Sequence, residues 1–218
     1  MPSAQANIHN PAALRHGAKL FFNYCVGCHS LKYVRYSRMA ADLGLSEAEV
    51  MNNLNFTGAK FAGHVVSAMP EADAAQWFGK APPDLSLEVN AKGADWVYNY
   101  LRSFYIDPSR PVGWNNTVFP NASMPNVLWS LQGIQTAVRA PSDDGKPGEV
   151  EKLTLSQPGR LTAAQFDADI SDLVSFLKYA SEPAALKRTS MGVWVLLYLG
   201  FFTLLAYMLK REFWKDVH

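Results

Sequence analysis

Cys25-Val26-Gly27-Cys28-His29 sets two thiols three positions apart and an imidazole directly after the second. A thiol adds across a vinyl group to give a thioether, and two thiols at this spacing reach the two vinyl groups of one porphyrin. The imidazole that follows is then carried beneath the metal. C-x-x-C-H is the attachment pattern of a c-type haem for that reason. Competing uses of the pair fit less well. A thioredoxin-like redox centre opens a helix after a strand, whereas an aromatic-rich helical stretch leads in here. A zinc site needs four ligands, and the chain holds only these two cysteines. A disulfide between them would close a strained, tiny loop. The reading is one covalently attached haem c, with His29 as an iron ligand.

Iron with both axial positions filled carries electrons, while an open position binds gases or substrates. Methionine as the sixth ligand gives a high-potential carrier. Of seven methionines, Met1, Met191 and Met208 lie out of reach at the ends, and Met39 and Met51 fall on helical stretches where packing explains them. Two stand in loops before proline: Met69 in SAMPEAD and Met124 in NASMPN. Met124 belongs to a long Pro- and Gly-rich stretch whose length nothing else explains. It is the favoured ligand, with Met69 the rival. His9, His16, His64 and His218 read as surface or hydrogen-bonded side chains, His64 being the one imidazole that competes as a ligand. Met/His coordination argues for electron transfer and against oxygen activation or peroxidase chemistry.

The elements that must position these groups are partly legible. Asn10 and Pro11 open a helix with an apolar face at Ala12, Leu14, Ala18, Phe21 and Phe22 that runs into Cys25. Ser46 and Glu49 form a capping box for a short helix over 46–54. Residues 79–86, GKAPPDLS, form a proline-punctuated loop. Val97, Tyr100, Leu101 and Phe104 recur at helical spacing over 95–104. Residues 105–160 read as long ordered loop with a small hairpin made from 127–131 and 150–155. Thr162 and Gln165 cap a helix whose apolar face is Phe166, Ile170, Leu173, Val174 and Leu177, and Pro183 ends or kinks it. This helix is expected to cross the one before Cys25.

Length and composition bound the rest. At 218 residues the chain holds one or two domains. Hydrophobic residues at 49% against 18% charged exclude disorder, and a net charge of +1 excludes a charge-driven nucleic-acid binder. The balance is uneven. Residues 187–218 carry five basic groups against two acidic, while the rest carries 15 against 17. Within that tail, Met191 to Leu209 is 19 residues without a charge. As a helix it covers about 28 Å, close to a bilayer core. Arg188 and Lys210 bracket it, and Tyr207 and Trp214 suit an interface. The expected organisation is a haem domain at 1–186 and a transmembrane anchor with a short tail at 187–218.

In order along nearly the whole chain, NYCVGCHS and LKYVRY, APPDLS, DWVYNYL, FPNASMPN, FLKYASEP and a single span closing in LKREFW resemble the cytochrome c1 family. That family is the haem subunit of the ubiquinol:cytochrome c reductase (cytochrome bc1) complex, here of bacterial type. C-x-x-C-H alone is generic, and it is the combination that is specific. The resemblance places Met124 at the axial-methionine position. It implies a mainly α, class I cytochrome c-like haem domain with long wrapping loops, plus the C-terminal transmembrane helix. It implies that Pro82 and Pro83 pack against the haem and that Lys92 and Trp96 lie near its propionates. The family commonly has Arg and Tyr at those two places, with longer spacing. Arg102 is a rival propionate partner, and a solvated helix face is the simpler account of it. The extra disulfide of some relatives is absent.

The same resemblance implies a function. The haem accepts an electron from the Rieske iron–sulfur protein and passes it to a soluble or membrane-bound cytochrome c. The chain sits beside a cytochrome b subunit in the lipid bilayer, in a dimeric complex. Glu71, Asp73, Asp143, Asp144, Glu149 and Glu151 are candidates to steer a basic cytochrome, although solvated loop charges explain them more simply. The haem domain is expected in the periplasm of a bacterial inner membrane and the C-terminus in the cytoplasm. MPSAQANIHN is not a signal region, so an export signal is expected outside the present numbering. The alternatives are a membrane-tethered cytochrome shuttling electrons to a terminal oxidase, and a haem sensor or enzyme with an open site. The short segment 180–190, poor in Gly and Ser, disfavours the shuttle.

Overall fold

The computed structural model describes residues 1–141 and 148–216. Asp143, Asp144 and His218 lie outside the described residues. Helix α1 (Pro11–Tyr24) begins where the sequence places it. The Asn10 side chain accepts from the backbone N–H groups of Ala12 and Ala13, and Pro11 occupies the first turn. The chain then turns through the cysteine motif into strand β1 (Leu31–Arg35), helix α2 (Tyr36–Leu43) and helix α3 (Glu47–Asn53). Ser46 and Glu49 cap α3 reciprocally, as the box predicts. Strand β2 (His64–Val65) pairs antiparallel with β1, and helix α4 (Glu71–Phe78) follows.

Helices α5 (Glu88–Lys92) and α6 (Ala94–Arg102) come after the proline loop. Strands β3 (Phe104–Ile106) and β4 (Trp114–Asn116) make a second ribbon. A single helical turn, α7 (Trp129–Gln132), precedes the hairpin of β5 (Gly133–Arg139) and β6 (Val150–Pro158). Helix α8 (Ala163–Ser181) closes this part of the chain, opened by reciprocal hydrogen bonds between Thr162 and Gln165.

The hairpin corrects the reading of 127–131 as its first strand. Those apolar residues are drawn into a helical turn: Asn126 Oδ1 accepts the Leu128 N–H, and the Leu128 carbonyl accepts from Leu131 and Gln132. The strand starts two residues later, at Gly133. Its φ of 100° belongs to glycine, and a side chain there would run into the Gln157 carbonyl of the opposite strand.

The core of residues 1–181 is the contact between α1 and α8. Phe21 and Phe22 from α1 interlock with Phe176 from α8, Phe21 lying 5.7 Å from Phe176 between ring centroids. Phe166, Ile170, Leu173, Val174 and Leu177 are buried, which is the face the helical spacing defines. Gly17 lets the backbones approach, since a Cβ there would collide with the Asp172 carbonyl and Phe176. Helix α6 packs on the same helix α8.

Residues 182–218 form a second compact unit. Helix α9 (Ala185–Phe213) carries a candidate span over Ser190–Phe213, 24 residues whose most apolar 18-residue window has a mean hydropathy of 2.0. Trp194, Leu196, Phe202 and Leu205 on it are exposed. A helix this apolar and this uncovered is long enough to cross a bilayer. The fold class is thus a helical domain plus one candidate span.

Candidate functional site

Cys25 and Cys28 are both free thiols at the C-terminal end of α1. The helix ends in a tight turn in which the N–H groups of Cys28 and His29 both bond to the Cys25 carbonyl. Cys25 is buried, and burial pushes its thiol up to about 12. Cys28 is half-exposed and is raised by the same cause.

The ring of His29 is oriented by the proline loop. Nδ1 lies 2.7 Å from the Pro83 carbonyl, which only accepts, so Nδ1 carries a proton, and in the neutral ring Nε2 keeps its lone pair. Burial is the largest influence on His29 and lowers its pKa, favouring the neutral ring that a metal needs. The loop is fixed by its own polar residues. Asp84 accepts from the backbone of Lys32 and of Ser86, and the fully buried Ser86 hydroxyl accepts from Tyr33. The Leu85 N–H bonds to the Ser30 carbonyl. APPDLS is thereby stapled to the residues that directly follow the cysteine motif.

Met124 comes from a separate loop that is organised by three asparagines. Asn115 Oδ1 accepts the Asn121 N–H, and Asn116 Oδ1 accepts those of Val118 and Phe119. Asn126 holds the far end at Leu128. Met124 is half-buried, and the Tyr100 hydroxyl donates to its sulfur at 3.6 Å. Met69 sits on the other segment: its N–H bonds to Ser67 Oγ, and that hydroxyl donates to the Gly27 carbonyl inside the cysteine motif. Met39 is core, and Met51 accepts from Asn55, as packing residues do. His16 is held by Asp172 at 2.9 Å, and His64 is an exposed strand residue.

Lys92 and Trp96 are neighbours, with the ammonium 5.4 Å from the indole centroid. Trp96 stacks on Tyr100 at 5.1 Å, so the aromatic column on α6 leads from Lys92 to the Met124 sulfur. Both also line an open cavity of about 420 Å³ with Ser3, Gln5, Asp95 and Lys178, to which the cysteine motif and Met124 do not contribute. Arg102 has other work. Its guanidinium forms a two-pronged ion pair with Asp167 on α8, at 2.6 and 2.8 Å, and lies over the Tyr98 ring. It is therefore an ion-paired residue rather than a solvated helix face.

Sequence reasoning passed over Tyr100, Asn115 and Asn116 as site residues. Adjacent asparagines in a loop-forming stretch were the available signal, since their side chains imitate turn hydrogen bonds. The donor set fits a covalently held haem on its own chemistry: two free thiols, a neutral imidazole with a free Nε2, and a thioether on an independently built loop.

The chain matches the model of the Cytochrome C1 family over residues 3–217. Cytochrome c1 of Allochromatium vinosum is 47% identical over 100% of this chain and 90% of its own. The ammonia monooxygenase gamma subunit of Nitrosomonas europaea is 41% identical over 94% of this chain and 84% of its own. A protein of Bradyrhizobium diazoefficiens named cytochrome b/c1 is 26% identical over 94% of this chain and 33% of its own length.

Proposed function

The chain belongs to the cytochrome c1 family, and from that premise we propose that it takes single electrons from a Rieske iron–sulfur protein and passes them to a cytochrome c. Membership makes it a membrane-anchored, electron-transfer haem subunit of a bc1-type respiratory complex with a covalent c-type haem. The observation that carries the finer reading is the His29–Pro83 hydrogen bond, which frees Nε2 for iron, together with a Met124 loop built independently of the cysteine motif.

The haem, when bound, supplies a one-electron couple. Cys25 and Cys28 would hold it by thioether bonds, and His29 and Met124 would ligate its iron. Pro83 orients His29 through its carbonyl. Lys92 and Trp96 would lie towards the propionates, and Arg102 is ion-paired to Asp167 on α8. Helix α1 packed against α8, with long loops between, supports the class I reading. With two protein ligands on the metal there would be no open position for substrate chemistry.

The haem domain stands in the periplasm of a bacterial inner membrane. Helix α9 spans the bilayer and places Lys210, Arg211 and Lys215 in the cytoplasm. The neighbours are a cytochrome b subunit, a mobile Rieske protein and a soluble or membrane-bound cytochrome c, within a dimeric complex. The name cytochrome b/c1 borne by one relative supports the first of these.

Detergent extraction tests the reading. A chain that co-purifies with b-type haem and an iron–sulfur signal, and whose reduced spectrum carbon monoxide leaves unaltered, bears it out. The name of the second relative carries a rival, an ammonia-oxidising assembly. Co-purification with ammonia-oxidising activity and without b-type haem would favour that rival.

A further inference from the structure

Tyr100 makes a contact that packing does not require. Its hydroxyl lies 3.6 Å from the Met124 sulfur, within reach of a sulfur acceptor. The ring is fixed on two sides, stacked on Trp96 with an interplanar angle of 7° and meeting Phe104 edge-on at 5.0 Å. The backbone is fixed as well. The Tyr100 carbonyl accepts from Asn116 Nδ2 at 2.8 Å, and the same Asn116 holds Val118 and Phe119 at the start of the Met124 loop. One buried amide therefore registers the turn of α6 that carries the hydroxyl against the loop that carries the sulfur.

We infer that Tyr100 is a positioning residue for Met124: its hydroxyl holds the thioether in one rotamer and draws electron density from the sulfur. The inference rests on the proposed ligation by Met124. Methionine has three side-chain torsions and no stiffness of its own, so an external contact must select the rotamer. A sulfur that accepts a hydrogen bond is a poorer electron donor. Oxidised iron needs that donation more than reduced iron does, so the hydroxyl favours the reduced state and raises the potential.

The test is Tyr100→Phe in the full chain, within the detergent-solubilised complex. Phenylalanine keeps the stack on Trp96 and the edge contact with Phe104 and deletes only the hydroxyl. The equilibrium for reduction is expected to fall about threefold, a drop of about 30 mV at 59 mV per tenfold for one electron. The weak long-wavelength absorption band of sulfur on oxidised haem iron is expected to remain and to change position. Tyr98→Phe removes a hydroxyl from the same helix on a ring that faces Arg102, and is expected to leave potential and band alone. An unchanged potential and band in Tyr100→Phe overturns the inference while the ligation stands. An equal fall in Tyr98→Phe also overturns it. If the unaltered protein lacks the band, the ligation by Met124 fails and the inference fails with it.

Discussion

The backbone of the Met124 loop is held without help from the methionine side chain. The backbone of its loop is satisfied by Asn115, Asn116 and Asn126, and its sulfur adds only the contact with Tyr100. Leucine has nearly the volume of methionine and no lone pair, so Met124→Leu removes the proposed ligand and leaves the loop. Haem is expected to stay attached through Cys25 and Cys28 while the potential falls by on the order of 100 mV or more. A redox titration that finds the potential nearly unchanged would return the assignment to Met69 or another residue. At this scale the sequence discloses what is local. Two thiols and an imidazole within five residues declare covalent attachment with no knowledge of the fold. The partner of His29 lies 54 residues away, and nothing in PPDLS by itself says that a proline carbonyl will face that ring. Asp167 was equally hidden as the partner of Arg102, because the two meet only once α6 and α8 have packed.

Among the elements, the contact of α1 with α8 decides whether a site exists at all, because α1 delivers Cys25 and α8 is its main support. Gly17→Ala tests this. Alanine is favoured over glycine inside a helix by about 0.5–1 kcal/mol. A Cβ driven into a backbone carbonyl cannot be relieved by a side-chain rotation, and overpacking of this kind costs about 1–3 kcal/mol or more. The clash wins, so the guanidinium midpoint followed by haem absorbance is expected to fall. A midpoint that holds or rises would mean the helices separate freely. The turn between β3 and β4 supplies a pH effect. Asp107 accepts from Ser109 and Asn115, and these hydrogen bonds hold its carboxyl below the usual carboxylate range. Its contribution is therefore present above the unfolded value near about pH 4 and is lost as pH falls through the lower folded value. Asp107→Asn is expected to flatten the acid limb of stability by no more than about 1 kcal/mol, since water screens the group. A urea series from neutral to acid pH that gives identical slopes for both proteins would remove Asp107 from the account. Caps and apolar spacing made α1, α3, α6 and α8 readable. The first strand of the hairpin was not, because Val127–Leu131 has strand composition and Asn126 turns it into a helical cap. The glycine at 133 was the stronger sign.

For the whole molecule the question is whether α9 merely tethers the haem domain or also holds it to its partners. The core of residues 1–181 is complete within itself: Phe21, Phe22, Phe166, Ile170 and Phe176 are buried against one another's elements and need nothing from the tail. Helix α9, by contrast, presents Trp194, Leu196, Leu199, Phe202 and Leu205 uncovered. Lipid satisfies such a surface, and so does another span, but lipid alone gives no reason for the complex to persist once the helix is gone. The charges of the two parts also differ in sign, and the basic groups Lys210, Arg211 and Lys215 follow the uncharged run that ends at Leu209. Removing residues 187–218 is therefore expected to release a soluble, red, low-spin haem protein that no longer travels with the cytochrome b subunit. Size-exclusion chromatography of the detergent extract, read at haem wavelengths, separates the two cases. Should the shortened chain still elute with b-type haem, the grip lies in the haem domain, and α9 does no more than keep that domain at the bilayer surface.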